Sequence, residues 1–339
     1  MKKLVCTMLS LLLCFLLPVS ASALNISADR SASSVIETAP FSLVETNSPA
    51  GAVGIAYDLS EGTTRYLGVF GNVLSENDQI LSVPGWFPQT ASLSKDEEYS
   101  TNTVIDSETF TKVPDVTAMP YSAILFGYSC CDFCNVEKAV FSFTAFMISP
   151  TVAVTAAHAV YHTHDNPTRQ SWSTSIAVLY GLNGEGTATG FGMGYETVIP
   201  VQYYENKNDN YDWALIRFTK PIGNSTGYFG YQYIPSATLE GITATLCGYP
   251  GSEKHKEKWY YQWQETGALG CFGTNAANYN YVTRYKMDSL PGQSGAPLFR
   301  YHEGKWSAVA IHTAGYTSYN EGVRITGQMF RFFIAYAPT

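Results

Sequence analysis

Three short segments of the sequence carry side chains that could together perform acyl transfer. His158 lies in the segment TAAHAV, Asp212 lies in YDWALI, and Ser294 lies in the glycine-rich segment PGQSGAPL. A serine hydroxyl is a weak nucleophile at neutral pH and needs an adjacent base, which a histidine can supply because its pKa lies near working pH. A carboxylate fixes the imidazole tautomer and stabilises the imidazolium. The three residues therefore predict a catalytic triad that hydrolyses its substrate through an acyl-enzyme.

The order of these residues along the chain distinguishes two kinds of serine hydrolase. α/β-Hydrolases run Ser, Asp, His and carry a G-x-S-x-G motif. This chain runs His158, Asp212, Ser294, and its serine lies in a G-x-S-G motif. Each segment alone is a weak signal, because structural histidines and serines in glycine turns are common. The prediction therefore rests on the three segments occurring together and in this order.

The elements around these residues predict an all-β protein. From about residue 118 onward, short segments rich in β-branched and aromatic residues alternate with Gly, Pro and Asn clusters. Repeated short strands with turn signals are typical of barrels or sandwiches. Only the stretch from about 326 to 336 has helical spacing, with Met329, Phe332 and Phe333 on one face. A C-terminal helix is therefore predicted over about 326–336.

Composition and the first residues predict an exported protein. The 339 residues are 45% hydrophobic and 14% charged, so a packed core is expected. The formal charge of -8 argues against non-specific binding of nucleic acid. Lys2 and Lys3 precede an apolar run that ends before Pro18, and an A-S-A site follows at 21–23. This pattern predicts a signal peptide over 1–23, secretion to the extracellular medium and no membrane attachment after its removal.

Residues 24–102 form a second region, of different composition. They hold ten acidic and three basic residues and no cysteine, and they end in a polar stretch, LSKDEEYSTN. The stretch is typical of an exposed linker that proteases can reach. We interpret 24–102 as a propeptide; a permanent small N-terminal domain is the alternative, because its apolar pieces could form a few strands.

Metal sites are the alternative use of the cysteines and histidines. The half-site Cys130-Cys131-x-x-Cys134 lacks a second pair at ligand spacing, and no HExxH motif accompanies His158. The segment NKNDNYD lacks the glycine and the terminal glutamate of an EF-hand loop. No metal and no cofactor are therefore predicted. The pairing of the five cysteines beyond residue 23 stays open: Cys130, Cys131, Cys134, Cys247 and Cys271.

The segments TAAHAV, YDWALI and GQSGAPLF resemble the signature regions of the chymotrypsin-like serine proteases, and most closely the glutamyl endopeptidase (V8-like) branch. Non-catalytic stretches share the resemblance: TAMPYSAI, PIGNSTGYFGYQY, GYPG and RITGQMF. It implies two perpendicular six-stranded antiparallel β-barrels with a C-terminal helix. The serine protease domain would span 103–339, with the first barrel at about 118–218 and the second at about 225–325.

The resemblance also implies how substrate is bound. The backbone N–H groups of Gly292 and Ser294 would form the oxyanion hole. Ser289, His312 and Gly315 would line the specificity pocket and receive a glutamate, or an aspartate, on the acyl side of the scissile bond. A histidine and a hydroxyl can together hydrogen bond a carboxylate.

Two alternatives to glutamyl specificity remain open. Asp288 lies six residues before Ser294, which is the spacing of the acidic pocket floor in trypsin-like enzymes. With Asp288 at the floor of the pocket, the enzyme would cleave after Arg or Lys. A catalytically silent homologue that only binds peptides is the second alternative, against which the intact triad argues.

Departures from the family pattern concern stability and activation. Most relatives carry a disulfide next to the catalytic histidine, where this chain has Ala159 and Phe143. Gln293 stands where chymotrypsin has the aspartate that traps the new N-terminus, so activation must differ. The resemblance begins near Val104, which implies removal of the propeptide by an activating protease. Protein or peptide substrates and a monomeric enzyme are expected.

Overall fold

The computed structural model describes residues 42–70, 80–88, 109–131, 140–163, 170–251, 253–270, 280–316 and 318–337. The predicted signal peptide 1–23, the predicted processing point near 102 and the cysteines Cys134 and Cys271 lie outside these residues. Among the described residues, no helix is long and apolar enough to cross a membrane.

Five strands precede the first barrel. They are β1 (Ser42–Thr46), β2 (Gly54–Asp58), β3 (Thr63–Phe70), β4 (Leu81–Val83) and β5 (Thr111–Lys112). The first three form an antiparallel sheet in the order β1-β3-β2. The apolar pieces of the N-terminal region therefore do form strands.

Six antiparallel strands close the first barrel in the order β12-β11-β6-β7-β8-β13, because β12 also pairs with β13. A bulge between Gly194 and Glu196 lets β12 change partners along its length. A separate hairpin is formed by β9 (Tyr161–Thr163) and β10 (Gln170–Trp172). The barrel strands are β6 (Ile124–Cys130), β7 (Val140–Met147), β8 (Val152–Thr155), β11 (Ser175–Tyr180), β12 (Gly190–Pro200) and β13 (Ala214–Phe218).

The second barrel follows in the chain. Its strands run in the order β17-β20-β19-β18-β15-β16, and a bridge between Gly270 and Arg284 joins the two ends of this order. β14 (Gly230–Tyr233) pairs with β19 and with β4, and β5 pairs with β16. The barrel strands are β15 (Thr243–Gly248), β16 (Trp263–Ala268), β17 (Val282–Tyr285), β18 (Pro297–His302), β19 (Lys305–Gly315) and β20 (Asn320–Arg324).

The helices are short apart from the last one, Gly327–Tyr336. Thr326 caps its N-terminus, because the Thr326 hydroxyl accepts a hydrogen bond from Met329 N at 3.2 Å. Phe332 and Phe333 are buried against Trp213 of the first barrel. The predicted class, with two six-stranded antiparallel barrels and a C-terminal helix, is confirmed. The other helical segments are Tyr121–Ala123, Ala157–Ala159, Val201–Asn206, Asp209–Tyr211, Gly223–Thr226, Ser236–Leu239 and Glu253–Lys258.

Packing fills the place beside His158 where the family that the sequence resembles carries a disulfide. Phe143 and Ala159 are both buried, and the Phe143 ring lies directly over Gly127 of the neighbouring strand β6. A side chain larger than hydrogen at residue 127 would overlap this ring. The aromatic ring thus occupies space that the glycine leaves open.

Candidate active site

His158 and Asp212 form a tightly bonded pair. His158 lies in the single turn Ala157–Ala159 that follows β8, and Asp212 lies between the turn Asp209–Tyr211 and β13. The imidazole Nδ1 is 2.6 Å from Asp212 Oδ2, and the His158 backbone N–H donates to Asp212 Oδ1 at 2.9 Å. The side chain of Asp212 is 8% exposed and that of His158 is 37% exposed. The carboxylate therefore holds both the ring and its backbone, and the other ring nitrogen remains available.

This pairing sets the protonation of His158. Burial lowers the pKa of the imidazole, but the charge of Asp212 and its hydrogen bond outweigh burial, so that the pKa of His158 lies above its usual value. A more basic imidazole takes a proton more readily from a hydroxyl. The same shift means that the imidazole stays protonated up to a higher pH.

Ser294 lies in a tight loop before β18 whose own polar groups fix its shape. The backbone N–H of Leu290 donates to Gln293 Oε1 at 2.8 Å, and Gln293 N donates to Leu290 O at 3.1 Å. Gly292 has a φ of 96°, in the region that favours glycine, and packs against the backbone of Gly251. The buried amide of Gln293 therefore stabilises its own loop, where chymotrypsin has an aspartate that binds the new N-terminus.

Thr144 of the first barrel ties this loop to the strand that leads to His158. Its backbone N–H donates to Ser294 O at 2.9 Å, and its hydroxyl donates to Gly292 O at 2.9 Å. Thr155, at the end of β8, donates its hydroxyl to Thr144 O at 2.7 Å. Gly295, with a φ of 87°, fits closely against Thr155. These contacts hold the Ser294 loop beside the turn that carries His158.

The Ser294 hydroxyl and His158 Nε2 have no hydrogen-bond partner among the described residues. The backbone N–H groups of Gly292 and Ser294 likewise have no acceptor within the described parts of the chain. Hydrogen bonds between catalytic groups are often long without substrate and shorten when it binds. The two amides are available to a substrate oxygen.

A cavity of about 540 Å³ opens beside Ser294. It brings together Ser294 and the three residues predicted for substrate binding, Ser289, His312 and Gly315. The wall also carries two opposite charges, Lys286 and Asp288. The remaining lining residues are Leu290, Pro291, Thr313, Tyr316, Tyr319 and Asn320.

His312 is a neutral hydrogen-bonding group in this wall. The residue is 3% exposed. Burial, together with the nearby His158, lowers the pKa of His312 to about 3, against weaker opposing effects of Glu321 and Asp212. Its Nδ1 is 2.6 Å from the hydroxyl of Tyr285, which burial keeps protonated by raising its pKa. A protonated Tyr285 hydroxyl can donate to Nδ1, and the ring hydrogen of His312 then lies on Nε2.

Asp288 is engaged by the chain segment that enters the protease region. Its Oδ2 accepts from the backbone N–H of Thr109 at 2.9 Å, and the Thr109 hydroxyl lies 3.2 Å from Oδ2 and 2.6 Å from Glu265 Oε1. Its own N–H donates to Glu265 Oε2 at 2.6 Å. Asp288 thus lines the cavity while its carboxylate already binds protein donors.

Lys207 lies close to His158 and Asp212, and no local pattern in the sequence indicates this position. It follows the helix Val201–Asn206 in a left-handed conformation with a φ of 50°. Its Nζ is 3.6 Å from the ring centroid of Tyr161 and 4.5 Å from that of Tyr203, and none of the described residues forms a hydrogen bond with it. Burial lowers the pKa of Lys207 to about 8, against the opposing charges of Asp212 and Asp209.

Replacing Lys207 by methionine is expected to move the acid limb of the kcat/KM profile to higher pH. The positive charge of Lys207 lowers the pKa of His158, so its removal lets that pKa rise further. A shift of roughly half a pH unit is expected for a partly screened charge. The exposed Lys220→Met variant serves as control. An unchanged limb, or a shift to lower pH, would contradict this role.

The fold and this site define a chymotrypsin-like serine endopeptidase. The sequence profile of the trypsin-like peptidase domain matches residues 143–311. The glutamyl endopeptidase of Bacillus licheniformis is 34% identical over 240 residues, which cover 68% of each chain. The chain therefore belongs to the glutamyl endopeptidase family, as its sequence motifs predicted, and acts on protein or peptide substrates.

Other relatives agree with this fold. A solved structure of a Glu endopeptidase in complex with MPD has a TM-score of 0.56 and 26% identity, covering 68% of this chain and 97% of that one. The protease Anisep from Arthrobacter nicotinovorans shares the fold, with a TM-score of 0.56 and 14% identity. The match covers 68% of this chain and 100% of that one.

The extracellular metalloprotease of Bacillus subtilis is 28% identical over 230 residues, which cover 68% of each chain. The described residues of this chain contain no group of three His, Cys, Asp or Glu side chains that could hold a metal ion.

Proposed function

We propose that this endopeptidase is secreted as a zymogen and cleaves after glutamate, with Ser294 as nucleophile, His158 as general base and then acid, and Asp212 as the residue that orients His158. The observation that carries the triad assignment is the two-point hydrogen bonding of His158 by Asp212, at 2.6 and 2.9 Å. It fixes Nδ1 as donor and leaves Nε2 to accept a proton.

In the proposed reaction, His158 Nε2 removes the proton of the Ser294 hydroxyl while the oxygen attacks the peptide carbonyl carbon. The carbonyl oxygen becomes an oxyanion, which accepts hydrogen bonds from the free N–H groups of Gly292 and Ser294. The imidazolium then gives its proton to the leaving amine, and the acyl-enzyme forms. Water, activated by the same imidazole, hydrolyses the ester and regenerates the Ser294 hydroxyl.

Preference for glutamate is supported by donors in the cavity beside Ser294. The neutral His312 can donate from Nε2, Ser289 can donate its hydroxyl, and Lys286 adds a positive charge to the same wall. A bound carboxylate would itself favour the protonated imidazole and raise the low pKa of His312. The trypsin-like alternative is disfavoured, since the carboxylate of Asp288 already accepts a hydrogen bond from the backbone N–H of Thr109. Relatives named for glutamyl cleavage point the same way.

Maturation is part of the proposal. Residues 1–23 would be removed as a signal peptide and 24–102 would be cut from the protease domain 103–339 by an activating protease, leaving a monomeric extracellular enzyme without cofactor. The hydrophobic start and the acidic, linker-like stretch before 103 support this, and one relative is named as extracellular.

A cleavage profile of the processed enzyme on a peptide library tests the specificity. Glutamate on the acyl side of most cleaved bonds is expected, with matched chromogenic Glu and Arg peptides as the quantitative comparison. Preferred cleavage after Arg or Lys would establish the Asp288 alternative. No cleavage by folded, processed protein would favour the silent peptide-binding alternative.

A further inference from the structure

The described part of the N-terminal segment, 42–70 and 80–88, pairs with strands of the protease region, and its strands β1, β3 and β2 extend the sheet of the first barrel. β2 pairs antiparallel with the second half of β12, from the pair Asp58–Glu196 to the pair Gly54–Pro200. The opposite edge of β12 pairs with β13 over much of the same stretch. Removing the segment would leave this half of β12 as an exposed strand edge, with unpaired N–H and C=O groups.

Apolar side chains of the segment complete the core of the protease. Ile55, Ala56 and Leu67 are buried in the same hydrophobic cluster as the barrel strands and the C-terminal helix. Gly54 approaches the ring of Phe332 closely enough that a Cβ would lie 3.1 Å from it. Tyr57 stacks on Trp172 with ring centroids 4.9 Å apart. Loss of the segment would therefore expose apolar surface of the protease domain.

A buried carboxylate on the barrel pairs with an arginine of this segment. The side chain of Glu196 in β12 is 3% exposed and forms an ion pair with Arg65 of β3. Arg217, at 3.6 Å, and the hydroxyl of Tyr336 are its other partners. Arg65 also binds the exposed Glu45 at 2.9 Å. A buried ion that loses one of its partners is costly, so the segment has a polar anchor as well as an apolar one.

The segment lies away from the site. None of its described residues lines the cavity beside Ser294 or hydrogen bonds to His158 or Ser294. At its other end, β4 pairs with β14. The segment shares a sheet and a hydrophobic core with the protease domain, and it leaves the cavity beside Ser294 uncovered. These are the contacts of a subunit.

We infer that residues 42–88 stay bound to the protease domain after the chain is cut between 88 and 109, as a stabilising subunit that leaves the active site open. This inference rests on the proposed maturation cut. It assigns the segment a role in the mature enzyme, whereas complete removal would make it a transient folding aid.

The test uses the full chain with Ser294→Ala, so that its outcome does not depend on catalysis. A recognition sequence for an unrelated site-specific protease is placed within 89–108, the chain is cut completely, and the product is applied to gel filtration at micromolar concentration. The N-terminal fragment is expected to co-elute with the protease domain. Elution of the two pieces as separate species would overturn the inference.

Arg65→Met in the same cut chain tests the polar anchor. An increase of at least tenfold in the dissociation constant of the fragment is expected, while Glu45→Gln, which removes only the exposed partner, should leave it nearly unchanged. If the fragment binds the protease domain equally well with and without the Arg65→Met substitution, Arg65 does not anchor the segment. Where the Arg65→Met chain fails to fold, Tyr57→Ala, which loses the stacking on Trp172, tests the apolar attachment instead: a weaker affinity of the fragment is expected, and an unchanged affinity would contradict that attachment.

Discussion

Replacing Asp212 by asparagine is expected to lower kcat of the processed enzyme by about four orders of magnitude. An amide at this position can offer an N–H to Nδ1, which favours the tautomer with its hydrogen on Nε2. That tautomer cannot accept the proton of Ser294. The 2.6 Å contact to the ring shows how directly the carboxylate selects the tautomer. The measurement is steady-state hydrolysis of a glutamyl chromogenic peptide.

Asp209→Asn is the matched control, since Asp209 is an exposed acid three residues away whose charge also acts on His158. We expect its kcat to stay within a few-fold of the unsubstituted enzyme. Equal losses in the two variants would mean that general electrostatics, and not the contact to Nδ1, explain the effect. A fully active Asp212→Asn enzyme would remove Asp212 from the triad.

Replacing His312 by leucine is expected to lower kcat/KM for a glutamyl substrate by about a hundredfold. A hydrogen bond to a charged group contributes roughly 1.5–3 kcal/mol, and a carboxylate left without its donor in the cavity adds a desolvation cost. The exposed His302→Leu variant should keep full activity. Both variants are compared on matched glutamyl and glutaminyl peptides. Cleavage after glutamine should fall less, because its neutral side chain depends less on a hydrogen-bond donor at residue 312.

Fluorophosphonate reactivity separates a defect in specificity from a defect in the triad. The probe reacts with the nucleophile without needing a glutamate in the pocket, so His312→Leu should react at nearly the normal rate. A variant that loses probe reactivity together with peptide cleavage would show that residue 312 supports the nucleophile. A variant that retains its preference for glutamate over glutamine would exclude His312 as the main carboxylate donor.

The fold and most residues of the candidate site could be predicted from the sequence, because their signals are local. The small residues before His158, the apolar strand after Asp212 and the glycine turn around Ser294 each show in a few adjacent letters. The helix from Gly327 is visible as a spacing of apolar residues. All-β class follows from repeated short strands between turn residues.

Contacts between distant residues could not be predicted in this way. Thr144 binds the Ser294 loop across 148 residues to Gly292, and Tyr285 binds His312 across 27 residues. The residues next to Thr144 and Tyr285 in the sequence do not indicate which distant residue each of them contacts. The docking of 42–70 on β12 is equally non-local, since an amphipathic strand does not reveal which edge it joins.

Active-site labelling of the processed protein tests the central claim most directly. Mass spectrometry of peptides from enzyme treated with a fluorophosphonate is expected to show one phosphonyl group on Ser294, formed with loss of fluoride. Ser294→Ala should be unlabelled and inactive. A folded, processed enzyme that cleaves peptides while its label lies on another serine, such as Ser289, or while it takes up no label, would contradict the triad assigned here.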